Sequence, residues 1–161
     1  MRAILLTILT TLSLSTAAVA EGKVGVGAET SLGTLTTPSG AIVVVYDATQ
    51  WRLDGLIGMF VVGEALNMSV GGRFHYVVNS SERADFSLGA GAFFLHGARG
   101  QFGGGESNRG EIDAIAQIRV FLVPNVALQG AVGMGVSFGD GGVALQLAGQ
   151  LTGSLGLVYF F

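Results

Sequence analysis

The sequence predicts an all-β fold: an eight-stranded antiparallel up-and-down meander, closed into a transmembrane β-barrel and preceded by a signal peptide. Three observations predict it. Apolar residues alternate with small or polar ones, as in Val24-Gly25-Val26-Gly27 and Val132-Gly133-Met134-Gly135-Val136, which is the period of a strand rather than a helix. The chain holds 27 glycines in 161 residues, and each would cost about 1 kcal/mol in a helix relative to alanine. Half of the residues are hydrophobic and only 12% are charged, against roughly 25% charged in a soluble domain.

Composition also excludes several functions. A formal net charge of -3 argues against nucleic acid, whose phosphates need a basic field. The absence of cysteine removes disulfides, thiolate metal sites, cysteine nucleophiles and the lipidated cysteine of a lipoprotein.

Residues 1–20 read as the signal peptide. Met1 and Arg2 supply the positive start, Ala3 to Leu14 the apolar run, and Ala18-Val19-Ala20 before Glu21 the cleavage site. The run is too short to cross about 30 Å of hydrocarbon. The expected mature chain is a single domain, 21–161, with no apolar stretch of helical spanning length.

Turn signals divide that domain into eight expected strands. The first covers Lys23–Leu32 and the second Ala41–Asp47, separated by a segment containing Pro38. The third, Trp51–Val62, follows a tight turn at Ala48–Gln50. The fourth is Ser69–Val78 and the fifth Asp85–His96. Gly97–Gly110 is the longest connection and leads to the sixth strand, Glu111–Leu122. Val123-Pro124-Asn125 turns into the seventh, Val126–Phe138, and Asp140-Gly141-Gly142 into the eighth, Val143–Phe161. Short connections between consecutive strands favour hairpins.

Alternation defines two faces. In the sixth strand Ile112, Ala114, Ala116, Ile118, Val120 and Leu122 oppose Glu111, Asp113, Gln117 and Arg119; in the seventh, Leu128, Val132, Met134, Val136 and Phe138 oppose alanines, glycines, Gln129 and Ser137. The second set makes a poor water-facing surface because it is almost free of lysine. A membrane barrel places the apolar set in lipid and fills the lumen with small or polar residues. Tyr46, Trp51, Tyr76, Phe86, Tyr159 and Phe161 then gather at one rim, the periplasmic one, as amphipathic rings do at a membrane interface. Backbone groups in lipid must be paired, so the sheet must close.

At this point the chain resembles the small eight-stranded outer-membrane β-barrels of the OmpA/OmpX type. The resemblance covers the whole mature chain in pattern. It rests on the export site, the meander, and the closing segment Leu155-Gly156-Leu157-Val158-Tyr159-Phe160-Phe161, in which Leu155, Leu157, Tyr159 and Phe161 occupy the alternate positions of the family's C-terminal assembly signal. The resemblance implies residence in a Gram-negative outer membrane among lipids and lipopolysaccharide, with the barrel-assembly machinery as a transient partner. Its expected state is monomeric. The expected surface loops are short, which weakens a receptor-binding role.

The inward face carries Glu29, Asp47, Arg52, Asp54, Arg73, Asp85, Glu111, Asp113 and Arg119. Buried charges are expensive unless paired, and an eight-stranded barrel is only wide enough for side chains. The expectation is therefore a polar plug of ion pairs rather than an ion path. Arg52, Arg73 and Arg119 are expected to cluster with Asp47, Asp54 and Asp85. Glu29, Glu111 and Asp113 lie higher with fewer bases, an excess that would draw cations. Arg99, Phe102 and Arg109 are expected on the long surface loop, within reach of lipopolysaccharide phosphates.

No catalytic residue is assigned. Some barrels of the resembling family modify lipids with a histidine, a serine and an acid; His96 with Ser137, Glu106 and Ser107 would be the set, but no spacing enforces it. His75 is expected in the lumen near Arg73. Gly103-Gly104-Gly105 lacks the lysine and hydroxyl of a phosphate loop. Two histidines without metal spacing give no metal site, and no cofactor is expected. The expected role is structural or envelope-maintaining. Alternatives are a narrow porin-like channel lined by Glu29, Glu111, Asp113 and Arg119, a soluble lipocalin-like barrel with reversed faces, and a lipid-modifying enzyme.

Overall fold

The computed structural model describes residues 22–31, 40–62, 65–97, 107–139, 142–147 and 153–161. Residues 1–20, read above as the leader, lie outside these. The strand segments are β1 (Lys23–Ser31), β2 (Gly40–Asp47), β3 (Trp51–Val62), β4 (Ala65–Ser80), β5 (Ala84–Gly97), β6 (Ser107–Val123), β7 (Val126–Gly139), β8 (Gly142–Leu147) and β9 (Ser154–Phe160). Each pairs antiparallel with its sequence neighbour from β1 to β7. The sheet closes where β9 lies between β7 and β1, with Gly25 opposite Phe160 and Ser31 opposite Ser154.

The barrel has eight strands because β8 and β9 are two lengths of the last one, both laid along β7. The expected strand Val143–Phe161 is described in these two lengths, and residues 148–152 lie outside the described residues. Between the two lengths β7 advances from Ala131 to Met134, while the partner runs from Ser154 back to Leu147. The two lengths are therefore in different registers against β7. Two other boundaries also move. β4 begins at Ala65 rather than Ser69, and β6 at Ser107 rather than Glu111. In each case cross-strand pairing extends the strand, and in β6 it does so through Ser107-Asn108-Arg109-Gly110, whose polarity reads locally as loop.

The tight turns lie at one end, here the near end, together with the start of β1 and the end of β9. Asp47 Oδ1 accepts from Thr49 N at 3.1 Å, and Gln50 N donates to Ala48 O at 2.8 Å. This γ-type turn holds Thr49 at φ 69°, a strained value for a β-branched residue. In the next turn Ala84 N donates to Ser81 Oγ at 3.1 Å. Pro124 and Asn125 make the third, and the Asn125 carbonyl accepts from Phe160 N at 2.8 Å.

Alternate residues along β1 to β7 and β9 point to opposite sides, and the sides differ sharply. Ile42, Ile57 and Val132 are 62%, 62% and 63% exposed, while their neighbours Val43, Leu56 and Ala131 are buried. An apolar outer wall of this extent far exceeds the patches that soluble monomers present to water. It suits hydrocarbon and argues against the reversed, lipocalin-like arrangement. Trp51 packs edge-on to Tyr46 at 5.4 Å and stacks on Phe74 at 6.4 Å; Tyr159 meets Phe161 at 5.3 Å. Together with Tyr76 and Phe86 these rings line the outer wall toward the near end.

Candidate functional site

Among the described residues, the interior is where the fold concentrates chemistry, because the outward positions of the strands are almost wholly apolar or small. Its side chains come from alternate positions, and β3 to β6 supply most of the polar ones. Arg52 and Asp54 project from β3, Arg73 and His75 from β4, Asp85 and Ser87 from β5, and Glu111, Asp113, Gln117 and Arg119 from β6. Each is at most 5% exposed. Glycines on β5 leave room beside these long side chains. A Cβ on Gly89 would sit 2.8 Å from His75 Nδ1, and one on Gly91 would sit 3.1 Å from Arg73 Cγ.

Two arginines organise the near end. Arg119 donates from Nε to Asp85 Oδ2 at 2.8 Å, and from Nη2 to the same oxygen at 2.6 Å and to Asp47 Oδ2 at 2.5 Å. Its guanidinium lies 4.8 Å from the Phe121 ring and 5.2 Å from that of Phe160, so aromatic faces cover the cation where carboxylates do not. Arg52 faces Asp54 at 3.3 Å and Asp85 at 3.6 Å, and donates to Ser87 Oγ at 3.2 Å and to Gln117 Oε1. Asp54 in turn lies 3.3 Å from His75 Nε2. Asp47 joins this network to the strained turn, since its other oxygen holds Thr49 N.

One level higher, Arg73 reaches across the lumen. Its Nη1 lies 2.7 Å from Glu29 Oε1 on β1, and Gln129 on β7 donates to Glu29 Oε2 at 3.0 Å. The guanidinium rests 5.4 Å from the Phe93 ring. Arg73 thus makes its ion pair with Glu29 rather than with Asp47, Asp54 or Asp85, although Asp54 stands opposite it in the β3–β4 ladder, and Glu29 does not lack a base. Both corrections have one cause: the strands are staggered round the wall, so strand position alone misjudges which residues face each other.

The lumen is also less polar than the sequence suggested. Val43 and Val45 of β2, Leu56 of β3, Phe93 of β5, Ala127 of β7 and Val158 and Phe160 of β9 form a buried apolar cluster inside the barrel. The valines of β2 alternate with Ile42 and Val44, which face out. With both faces apolar, periodicity carries no sign of which is inside.

The remaining assigned residues divide. Arg109 is a strand residue of β6, not a loop residue. It points inward and donates from Nη2 to Ser137 Oγ at 2.6 Å. Arg99 and Phe102 lie outside the described residues, as does Glu106. His96 is exposed on the outer wall, 2.9 Å from Asn108 Oδ1, whereas Ser137 is buried inside. The wall separates His96 from Ser137. Leu155, Leu157, Tyr159 and Phe161 share the outward face of the closing strand, 44%, 49%, 48% and 79% exposed. Among the described residues no group of three or more histidine, cysteine or acidic side chains converges as a metal cage.

No protein-family model and no curated protein matches the chain. Solved structures do. A major outer membrane protein from Thermus thermophilus is 14% identical, with a TM-score of 0.56 over 88% of this chain and 100% of that one. Neisserial surface protein A is 16% identical, with a TM-score of 0.57 over 88% of this chain and 98% of that one. At such identities the likeness is one of fold, and the fold is that of small outer-membrane β-barrels.

Proposed function

We propose that this protein is an integral outer-membrane barrel with a structural, envelope-maintaining role, whose lumen is a plug rather than a path. The observation that carries the reading is the filling of the lumen from opposite walls. Arg119 and Arg52 bind Asp47, Asp54 and Asp85 at the near end, Arg73 bridges to Glu29 above them, and the apolar cluster occupies the space alongside. Eight strands leave little room beyond such side chains. An outer wall of isoleucine, valine, leucine and methionine supports burial in lipid, and the likeness to outer-membrane folds supports that membrane as its place. On this reading the role is non-catalytic, and the buried ion pairs that fill the interior among the described residues support it. The protein works as a monomer in contact with lipid and lipopolysaccharide, after delivery to the barrel-assembly machinery.

Planar-bilayer recording tests this directly. The folded protein is expected to insert without producing discrete conductance steps in molar salt. Reproducible steps that vanish in Glu111→Leu/Asp113→Leu would instead establish the narrow channel.

A further inference from the structure

Above the Arg73–Glu29 bridge, the lumen holds two carboxylates that form no ion pair with any cation among the described residues. Glu111 and Asp113 sit two positions apart on β6, both pointing inward and both 2% exposed. Neither makes an ion pair among the described residues, and Glu111 Oε1 and both oxygens of Asp113 have no hydrogen-bond partner there. The two acids interact with each other, and the field of Arg73 reaches Asp113, but the ion pair of Arg73 is with Glu29. Arg109, the next inward position toward the far end, donates to Ser137 instead. Two adjacent buried carboxylates without an ion-pair partner are costly. Every inward carboxylate of the near end and the bridge faces an arginine, which makes this pair an exception within the same lumen.

We infer that Glu111 and Asp113 form a binding site for a hard divalent cation in the far half of the lumen. The donors are carboxylate oxygens alone, with no imidazole or thiolate beside them, which suits Ca²⁺, Mg²⁺ or Mn²⁺ rather than a softer metal. A 2+ charge neutralises the pair, and water completes the coordination. Gly135, opposite Asp113 in the ladder, makes room for the Asp113 carboxylate: a Cβ there would collide with Asp113 Oδ1. The Arg73–Glu29 bridge lies between this site and the near end, so the ion is held in a closed-off cup. In that respect the inference rests on the plugged-lumen reading.

The test is Mn²⁺ binding by electron paramagnetic resonance, using the full folded barrel in a non-ionic detergent, with Ca²⁺ as competitor. One Mn²⁺ per chain is expected, displaced by Ca²⁺. Glu111→Gln/Asp113→Asn is expected to weaken binding on the order of 100-fold, since ligand charge count sets affinity. Glu111→Gln and Asp113→Asn singly provide the same comparison should the double variant fold poorly. The absence of binding at about 1 mM Mn²⁺, at the weak end of calcium sites, would overturn the inference, as would equal binding by the variants. Bilayer recording on the same samples separates the two readings. A silent barrel without Mn²⁺ binding refutes the site alone, whereas a conducting barrel refutes the plug whatever it binds.

Discussion

Two walls of one lumen are filled in opposite ways. On β3 to β6 the inward positions carry arginines, acids, a histidine and a glutamine; on β7, β9, β1 and β2 they carry mostly glycine, alanine, valine and phenylalanine. The exceptions on the second wall are informative. Glu29 receives Arg73, Asp47 receives Arg119, and Gln129 steadies Glu29. The small residues of one wall thus leave room for long side chains from the other. The few acids among them stand where those side chains arrive. Gly156 shows the fit, because a Cβ there would come within 3.2 Å of Glu29 Cβ and 3.3 Å of Gln129 Cγ.

The comparison makes the Arg73–Glu29 bridge the point of greatest sensitivity. Arg73→Met leaves Glu29 as a buried carboxylate with only Gln129, and is expected to cost about 3–5 kcal/mol in urea unfolding from micelles or liposomes. Glu29→Leu/Arg73→Met makes this level resemble the apolar wall and is expected to regain most of that loss, since a buried pair replaced by apolar side chains of similar volume is often close to neutral. A double variant no more stable than the single one would show that the bridge does more than satisfy its own charges. A smaller effect is expected on the apolar wall. Val158→Ala removes two buried methyl groups from the cluster and should cost about 1.5 kcal/mol in the same assay. A loss as large as that of Arg73→Met would mean the two walls do not differ in how they hold the barrel.

How much of this the sequence discloses depends on whether the two faces of a strand differ. In β6 and β7, charge or small size on one face and branched apolar side chains on the other identify the lumen directly, and Glu111, Asp113, Gln117, Arg119 and Gln129 all point inward. In β2 and β9 both faces are apolar, and burial of Val43, Val45, Val158 and Phe160 follows only from register. The pairing of Arg73 with Glu29 is similarly hidden. It depends on strand tilt, which brings together residues on walls that never share a hydrogen bond. Arg109 reads as loop because Ser107-Asn108-Arg109-Gly110 has turn composition, yet the ladder to β5 and β7 carries the strand through it. The near-end rings were legible because they are few and fall beside the turn signals.

The apolar wall faces lipid, and gel mobility tests this most directly. Chain 21–161 folded in detergent micelles is compared cold and boiled in SDS, beside a sample refolded without detergent. The expected result is a band that shifts on boiling, because a closed barrel stays folded in cold SDS, together with aggregation of the detergent-free sample. A soluble monomer without detergent and no shift on boiling would contradict it, and would place the charged residues on the outside.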